Sequence, residues 1–337
     1  MKLAAIGTGK IINDALYAIQ PIESIGRNAI FARPHSQAKG EALAAKYGVK
    51  AVYTDYDELL AKANIDTVYI GLVNSAHYEY GKQALLAGKN VIMEKPFTST
   101  LAEAQDLIDL ARQNGLYIFE AITVLHTPVF EKMKASLSKL GPLRMMLGNY
   151  SQYSSRYDAY LAGEVPHAFD AAYLGGALRD INVYNIHYAV SLFGLPKGVH
   201  YYPNRGFNGI DISGTLVLEY DGFSAVCTGA KDSDSPCFIS IQGEKGWMRI
   251  DGKPNVAPNL TVTHVIDAPA GSEQRDAAGA IIRQTTTETF VPEPHHHRMT
   301  QEFTDFARII DTDDRATSDH LAAETLNVMK VVEAALR

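Results

Sequence analysis

The chain of 337 residues contains two cysteines. That is too few to staple a secreted fold, and a count this low points to a reducing compartment. Cys227 and Cys237 sit in a strand-rich stretch and read as small buried side chains rather than a disulfide. Positive charge is also short: 31 Lys and Arg face 38 Asp and Glu, a net charge of -7. That balance argues against nucleic acid or an anionic membrane as the main partner. No apolar run approaches the roughly 18–20 residues that a membrane helix needs. The N-terminus enters an apolar strand at once, which leaves no room for a signal peptide. No internal repeat and no low-complexity tract occurs. These absences predict a cytoplasmic protein acting on a small-molecule substrate.

What is present changes rhythm near residue 122, and 337 residues exceed what one core usually holds, so two domains are expected. Residues 1–122 alternate short apolar runs with helical patterns, the signature of βαβ units. Runs at 2–6, 29–32, 51–53, 67–72, 90–93 and 117–120 predict six strands. Asp55, Asn74 or Ser75, and Ser99 or Thr100 stand where helix caps belong. The expectation is an α/β Rossmann domain, a doubly wound parallel sheet. Residues 123–337 instead place strands at 144–153, 216–220, 224–229, 238–242 and 247–250, joined mostly by short turns. That pattern predicts an α+β domain with a large, mostly antiparallel open sheet. One helix, 178–192, interrupts it, and 251–294 reads as loop and edge strand. Helices at 299–310 and 319–336 end the chain, the last placed to pack back on the first domain.

The opening strand runs into Gly7-Thr8-Gly9-Lys10-Ile11-Ile12. A glycine pair there lets backbone approach a pyrophosphate at a helix N-terminus. Ile12 stands where a third glycine would ease helix-to-strand packing, which predicts a slightly wider helix placement. At the tip of strand two an acid would bind the adenosine ribose and favour NAD(H). Here the tip reads Phe31-Ala32-Arg33-Pro34-His35, and the next acid is Glu41. Arg33 suits a 2′-phosphate, with His35 assisting, so NADP(H) is the preferred cofactor and NAD(H) the alternative. A solvated surface arginine is the plainer reading of Arg33. Glu94-Lys95-Pro96 closes the fifth strand, where Lys95 would point into the same crevice.

Taken with Asn74-Ser75-Ala76-His77 and with Gly175-Gly176-Ala177-Leu178-Arg179-Asp180-Ile181-Asn182-Val183-Tyr184, these motifs resemble the glucose–fructose oxidoreductase / inositol dehydrogenase (Gfo/Idh/MocA) family over essentially the whole chain. The resemblance implies a nicotinamide-binding first domain. It also implies a second-domain sheet that makes a homodimer or homotetramer. It implies Lys95 beside the nicotinamide, with Asp180 and Tyr184 reaching the substrate. Tyrosine at the last position is similar to the branch holding dihydrodiol and xylose dehydrogenases. Candidate cofactor contacts are Gly7, Thr8, Gly9, Lys10, Ile11, Arg33, Leu72, Asn74, His77, Glu94 and Lys95. Glu94 is read as holding the lysine loop or touching the ribose, and Asn74 and His77 are explained nearly as well by a cap and a half-buried ring. The departures are Leu72-Val73 where Thr-Pro is common, and Leu174 and Asn182 where glycines are frequent.

Hydride transfer from an alcohol also needs a group to take a proton. A phenol has a pKa of about 10, too high for an efficient base at neutral pH. A neighbouring ammonium lowers it, which is the service expected of Lys95 to Tyr184. Asp180 is expected to orient Lys95 or bind a substrate hydroxyl. His187, three residues past Tyr184, is a further candidate for the proton, as is Lys95 itself. Tyr153, Arg156, Tyr157, Tyr160 and His167 form an aromatic and basic cluster that suits hydroxyl-rich or aromatic substrates, or simply a packed loop. His295-His296-His297 lacks the spaced partners of a metal site, and no metal is expected. The leading expectation is an NADP(H)-dependent oxidoreductase acting on a sugar, polyol or cyclic diol. A cofactor-binding sensor and a biliverdin-reductase-like enzyme are the competing readings.

Overall fold

The computed structural model of the chain describes residues 1–266 and 274–337. Strands β1 (Lys2–Ile6), β2 (Gly26–Phe31), β3 (Val52–Tyr53), β4 (Thr67–Ile70), β5 (Asn90–Glu94) and β6 (Ile118–Ala121) form a sheet in the order β3-β2-β1-β4-β5-β6. Every pairing in it is parallel. β1, β4 and β5 are almost wholly buried and mostly apolar because helices cover both faces. Helices α1 (Lys10–Ala18), α2 (Gln37–Tyr47), α3 (Tyr56–Lys62), α4 (His77–Leu86) and α5 (Leu101–Gln113) supply that cover. Chain reversal between β1 and β4 makes a switch point, where open α/β sheets bind ligands at the strand carboxyl ends.

Local chemistry sets the helix ends. Gly48 stops α2 at φ 65°, a conformation that favours glycine. Asp55 caps α3 by accepting from the Glu58 amide at 2.8 Å, and Thr100 with Glu103 forms a reciprocal capping box on α5. Neither Asn74 nor Ser75 caps α4. Residues Asn74–Ala76 make a 3₁₀ turn instead, and the Asn74 amide crosses to the Leu174 carbonyl at 3.3 Å. The cap is given up for a contact with the second domain.

The second sheet contains β7 (Leu143–Ser151), β8 (Gly198–Arg205), β9 (Asp211–Tyr220), β10 (Phe223–Ala230), β11 (Phe238–Gly243), β12 (Gly246–Asp251) and β13 (Leu260–Val265). After a small ribbon of β14 (Gln274–Arg275) and β15 (Ile281–Ile282), β16 (Thr285–Phe290) completes it, in the order β16-β13-β12-β11-β7-β10-β9-β8. Only β7 and β10 run parallel. The stretch 251–294, read as loop and edge strand, supplies β16 at the edge of the sheet and β13 as an inner strand, while residues 267–273 lie outside the described residues. β13 and β16 escape an apolar search because threonines carry them, with Thr263 and Thr287 hydroxyls 2.9 Å apart. β8 is an edge strand with Pro203 inside it, which weakens its signal.

Helices α6 (Pro128–Ser136), α7 (Tyr157–Leu161) and α8 (Val183–Phe193) belong with this sheet. α8 lays Ile186, Ala189 and Val190 against the inner sheet side chains of Leu216, Leu218, Ile239 and Ile250. The expected single helix over 178–192 begins instead as a π-helical turn, Leu178–Asn182. α9 (Thr300–Asp311) returns to the first sheet, where Phe303 meets Tyr69 at 5.1 Å and Phe306 stacks on Phe119 at 4.7 Å. Each fully buried phenylalanine contributes about 1.5–3 kcal/mol by leaving water. α10 (Arg315–Ala335) serves both cores, giving Leu326 and Met329 to one and Val328, Val331 and Val332 to the other.

Candidate active site

A cleft of about 670 Å³ opens at the carboxyl ends of β1 and β4. Gly7, Thr8, Gly9, Lys10 and Ile11 form one wall with Gly71, Leu72, Val73 and Asn74, while Arg156, His167, Tyr173, Gly175 and Asp180 come from the second domain. Gly7 has φ 123°, and a Cβ there would lie 3.0 Å from the Gly71 carbonyl oxygen. A Cβ on Gly9 would meet nothing within 4 Å, so it would project into open space. α1 starts at Gly9 with no side-chain cap and no acid in its first turn. Its leading amides and its positive dipole end are thus free to hold a pyrophosphate. The room that Ile12 takes from the missing third glycine is found on the strand side. A Cβ on Gly71 would strike Ile11 Cγ2 and Ile12 Cδ1, each at 2.8 Å.

Arg33, His35, Ser36 and Lys39 border the cleft beyond the tip of β2. Neither Arg33 nor Lys39 has an ion-pair partner among the described residues. Two unpaired cations with no carboxylate between them fit an extra phosphate on the adenosine ribose better than a bare hydroxyl. The pocket residues therefore fit a dinucleotide, judged by the glycine cradle and the donor set.

At the other end, Lys95 projects from the turn after β5, and its bond to Pro96 is cis. Its Nζ donates to the Asp180 carbonyl at 2.8 Å and to Asp180 Oδ1 at 3.0 Å. The same nitrogen stands 5.2 Å from the centre of the Tyr184 ring. Asp180 Oδ2 is taken by Lys231 at 2.7 Å. Asp211 fixes the turn that carries Asp180, accepting from the Leu178 amide and the Tyr201 hydroxyl, both at 2.7 Å. Asn182, where a glycine is frequent, donates to the Cys227 carbonyl at 2.9 Å and accepts from Asn185 at 2.8 Å, tying the turn to β10. Leu174 sits at φ 56°, the left-handed conformation that a glycine adopts without strain.

Burial raises the Asp180 carboxyl, but Lys95 and Lys231 outweigh it and hold the group well below the usual carboxylate range. Burial lowers the Lys95 ammonium, and Tyr184 and Asp180 more than reverse this, leaving it above the ordinary lysine value. Burial pushes the Tyr184 phenol up, and Lys95 and Arg298 pull it only part of the way back. Lys95 acts on Tyr184 in the expected direction, yet desolvation wins. Tyr184 therefore stands protonated at neutral pH, ready to donate.

Of the sequence-predicted contacts, Gly7, Thr8, Gly9, Lys10, Ile11, Arg33, Leu72, Asn74 and Asp180 border the cleft, and Lys95 and Tyr184 adjoin it around Asp180. His77 does not border it. Its ring is fully buried with Nδ1 3.0 Å from the Pro96 carbonyl, so it supports the lysine turn. Glu94 is likewise buried and accepts from the Tyr69 hydroxyl at 2.5 Å. His187 does not border the cleft: it is fully buried, with Nε2 3.5 Å from Glu120 Oε2. In the aromatic cluster, Arg156 and His167 reach the cleft, while Tyr157 and Tyr160 pack on Phe169 at 5.6 and 4.8 Å. Two of the three histidines pack on Tyr17, His296 stacked at 4.1 Å and His297 edge-on at 5.9 Å. Cys227 and Cys237 are both free thiols. Sequence reasoning missed Lys231, Arg298 and Lys39. Lys231 looks like the end of a strand, and Arg298 is hidden behind the histidine run.

A family model for the oxidoreductase family with NAD-binding Rossmann fold matches residues 1–121, and the GFO/IDH/MocA C-terminal domain model matches residues 131–249. The chain belongs to the Gfo/Idh/MocA family. It is thus an oxidoreductase by family. Among Gfo/Idh/MocA relatives, it is similar to scyllo-inositol 2-dehydrogenase (NADP(+)) IolU of Bacillus subtilis, 39% identical over 74% of this chain and 76% of that protein. Similarity extends to trans-1,2-dihydrobenzene-1,2-diol dehydrogenase of Xenopus tropicalis, 28% identical over 74% of each chain. The fold matches KijD10, a 3-ketoreductase of Actinomadura kijaniata solved with NADP and TDP-benzene, with a TM-score of 0.81 at 22% identity, covering 100% of this chain and 97% of that one.

Proposed function

We propose that the protein is an NADP(H)-dependent oxidoreductase that moves hydride between nicotinamide and a secondary alcohol or carbonyl of a sugar, polyol or cyclic diol. The observation that carries this is Lys95, Asp180 and Tyr184 gathered beside the cleft that the uncapped start of α1 opens into. The inositol and dihydrodiol dehydrogenases among its relatives support the substrate class, and the NADP(+) in the name of the Bacillus subtilis relative supports the cofactor. Residues 1–122 serve the cofactor, and 123–337 serve the substrate and the contacts between subunits.

A dinucleotide held by these residues would supply the hydride acceptor for an alcohol carbon, or the hydride donor for a carbonyl. Tyr184 exchanges the proton with the substrate oxygen. Lys95 has three N–H bonds and two are spent on Asp180, so the third is left for the oxygen on which charge develops. Asp180 orients that ammonium. Gly7, Thr8, Gly9, Lys10 and Ile11 hold the pyrophosphate, Arg33 takes the 2′-phosphate with Lys39, and Leu72 and Asn74 line the route between. His77 and Glu94 act from beneath by holding the lysine turn. A homodimer or homotetramer forms through the outer face of the second sheet, where Trp247 is exposed. The cytoplasm, where free thiols persist, is the compartment of this reading.

The test is a Lys95→Met variant assayed with inositols, aldoses and trans-dihydrodiols beside the wild type. Turnover is expected to fall by about a thousandfold while cofactor affinity stays within a few-fold. A variant that kept the wild-type rate would sink the assignment.

A further inference from the structure

Lys231 is a buried lysine that neither the sequence motifs nor the proposed proton transfer uses. It directly follows β10, and its side chain is only 3% exposed. Its Nζ lies 2.7 Å from Asp180 Oδ2 and donates to the Ala168 carbonyl at 2.6 Å. It also stands over the Phe169 ring at 4.6 Å. Its backbone amide is bound to Ile212 and its carbonyl to Ser154, so it is anchored from both sides. A desolvated lysine is costly, and a site keeps one only where partners compensate it.

We infer that Lys231 is a positioning residue for hydride transfer, acting through Asp180 on Lys95. Asp180 carries one negative charge between two ammonium groups, so the cluster keeps one net positive charge. With Lys95 alone, Asp180 would cancel the field that Lys95 exerts at Tyr184 and at the reacting oxygen. By occupying Oδ2, Lys231 also leaves Asp180 only Oδ1 and its carbonyl for Lys95. The third Lys95 proton is then free. Because Ala168 lines the cleft, the same ammonium ties the substrate wall to the reacting cluster.

The inference rests on the function proposed above, and the experiment separates the two. Lys231→Met is expected to lower kcat at least about tenfold with cofactor affinity unchanged. It should move the pKa that governs alcohol oxidation upward, because loss of a nearby cation disfavours the phenolate. Lys231→Arg should recover most of the rate and the wild-type pH profile. In an Asp180→Asn background Lys231→Met should cost little more, since the path runs through Asp180. A rate lost with an unmoved pH profile and no rescue by arginine would reduce Lys231 to a packing role and overturn the inference. Carbon-13 titration of the Asp180 carboxyl, assigned by its loss in Asp180→Asn, needs no turnover. It should titrate at higher pH in Lys231→Met than in the wild type, and an identical titration overturns the clamp. If the wild type reduced or oxidised nothing, the function would fail alone and this titration would still decide.

Discussion

Tyr184 and Lys95 illustrate how opposing terms settle a residue's state. Burial favours the neutral phenol, the two cations Lys95 and Arg298 favour the phenolate, and burial prevails. Tyr184→Phe removes the proton carrier without changing its packing, so kcat should fall at least about a hundredfold while cofactor affinity is retained. Steady-state kinetics with a parallel fluorescence titration of the cofactor checks this, and retention of more than half the wild-type kcat would remove tyrosine from the mechanism. Glu302 offers a second test. It is 1% exposed, and neither carboxyl oxygen has a hydrogen-bond partner among the described residues. Burial and then Glu94 raise its pKa well above the ordinary value, against Arg298. The folded state therefore holds a proton that the unfolded chain has released. Stability from this group is complete below the unfolded value near 4.5 and declines as pH rises towards the folded value, by about 1.4 kcal/mol per pH unit. Glu302→Gln should gain thermal stability over the wild type as pH goes from 5 to 8. A difference in Tm that stays flat across that range contradicts it.

At the scale of elements, the turn before α8 is where the site is made. A regular helix puts Asp180 and Tyr184 on one face by four-residue spacing, and sequence alone leads to that picture. The wide turn Leu178–Asn182 arises from contacts that spacing does not encode: Asp211 at its start and Asn182 on β10. Gly229 on β10 faces it, and a Cβ there would lie 2.7 Å from Asn182 Cβ and 3.2 Å from Asn182 Cα. Gly229→Ala must push the turn, because Asn182 backbone cannot yield as a flexible side-chain tip would. The expected result is a loss of about tenfold or more in kcat with cofactor affinity unchanged, since misplacement by a fraction of an ångström is costly to a reacting geometry. Unaltered kcat would show the turn is not tightly set. The first domain was more legible than this. Its strands are buried on both faces and read as apolar runs, and its caps at Asp55 and Thr100 are local. The threonine strands, Lys231 and Arg298 were not legible, because long-range pairing gives each its meaning.

The whole molecule is joined by α10, which buries residues in both cores. The two domains should therefore unfold together. Met329→Ala opens a cavity against the first sheet and Val331→Ala one against the second, the former costing about 2–5 kcal/mol. Each should lower the same single calorimetric transition by several degrees, whereas two transitions moving separately would contradict the coupling. The same joining places Lys95 from one domain within reach of Asp180 and Tyr184 from the other, so the reacting cluster exists only in the assembled chain. What that assembly does is tested most directly by wild-type kinetics. Inositols, aldoses and trans-dihydrodiols are offered first with NADP+ and then with NAD+, following the absorbance of the reduced nicotinamide. The account predicts turnover of one of these classes with NADP+ favoured at least about tenfold in kcat/KM, a preference narrowed by Arg33→Ser. No reduced cofactor from any class, or NAD+ favoured by tenfold, would contradict it.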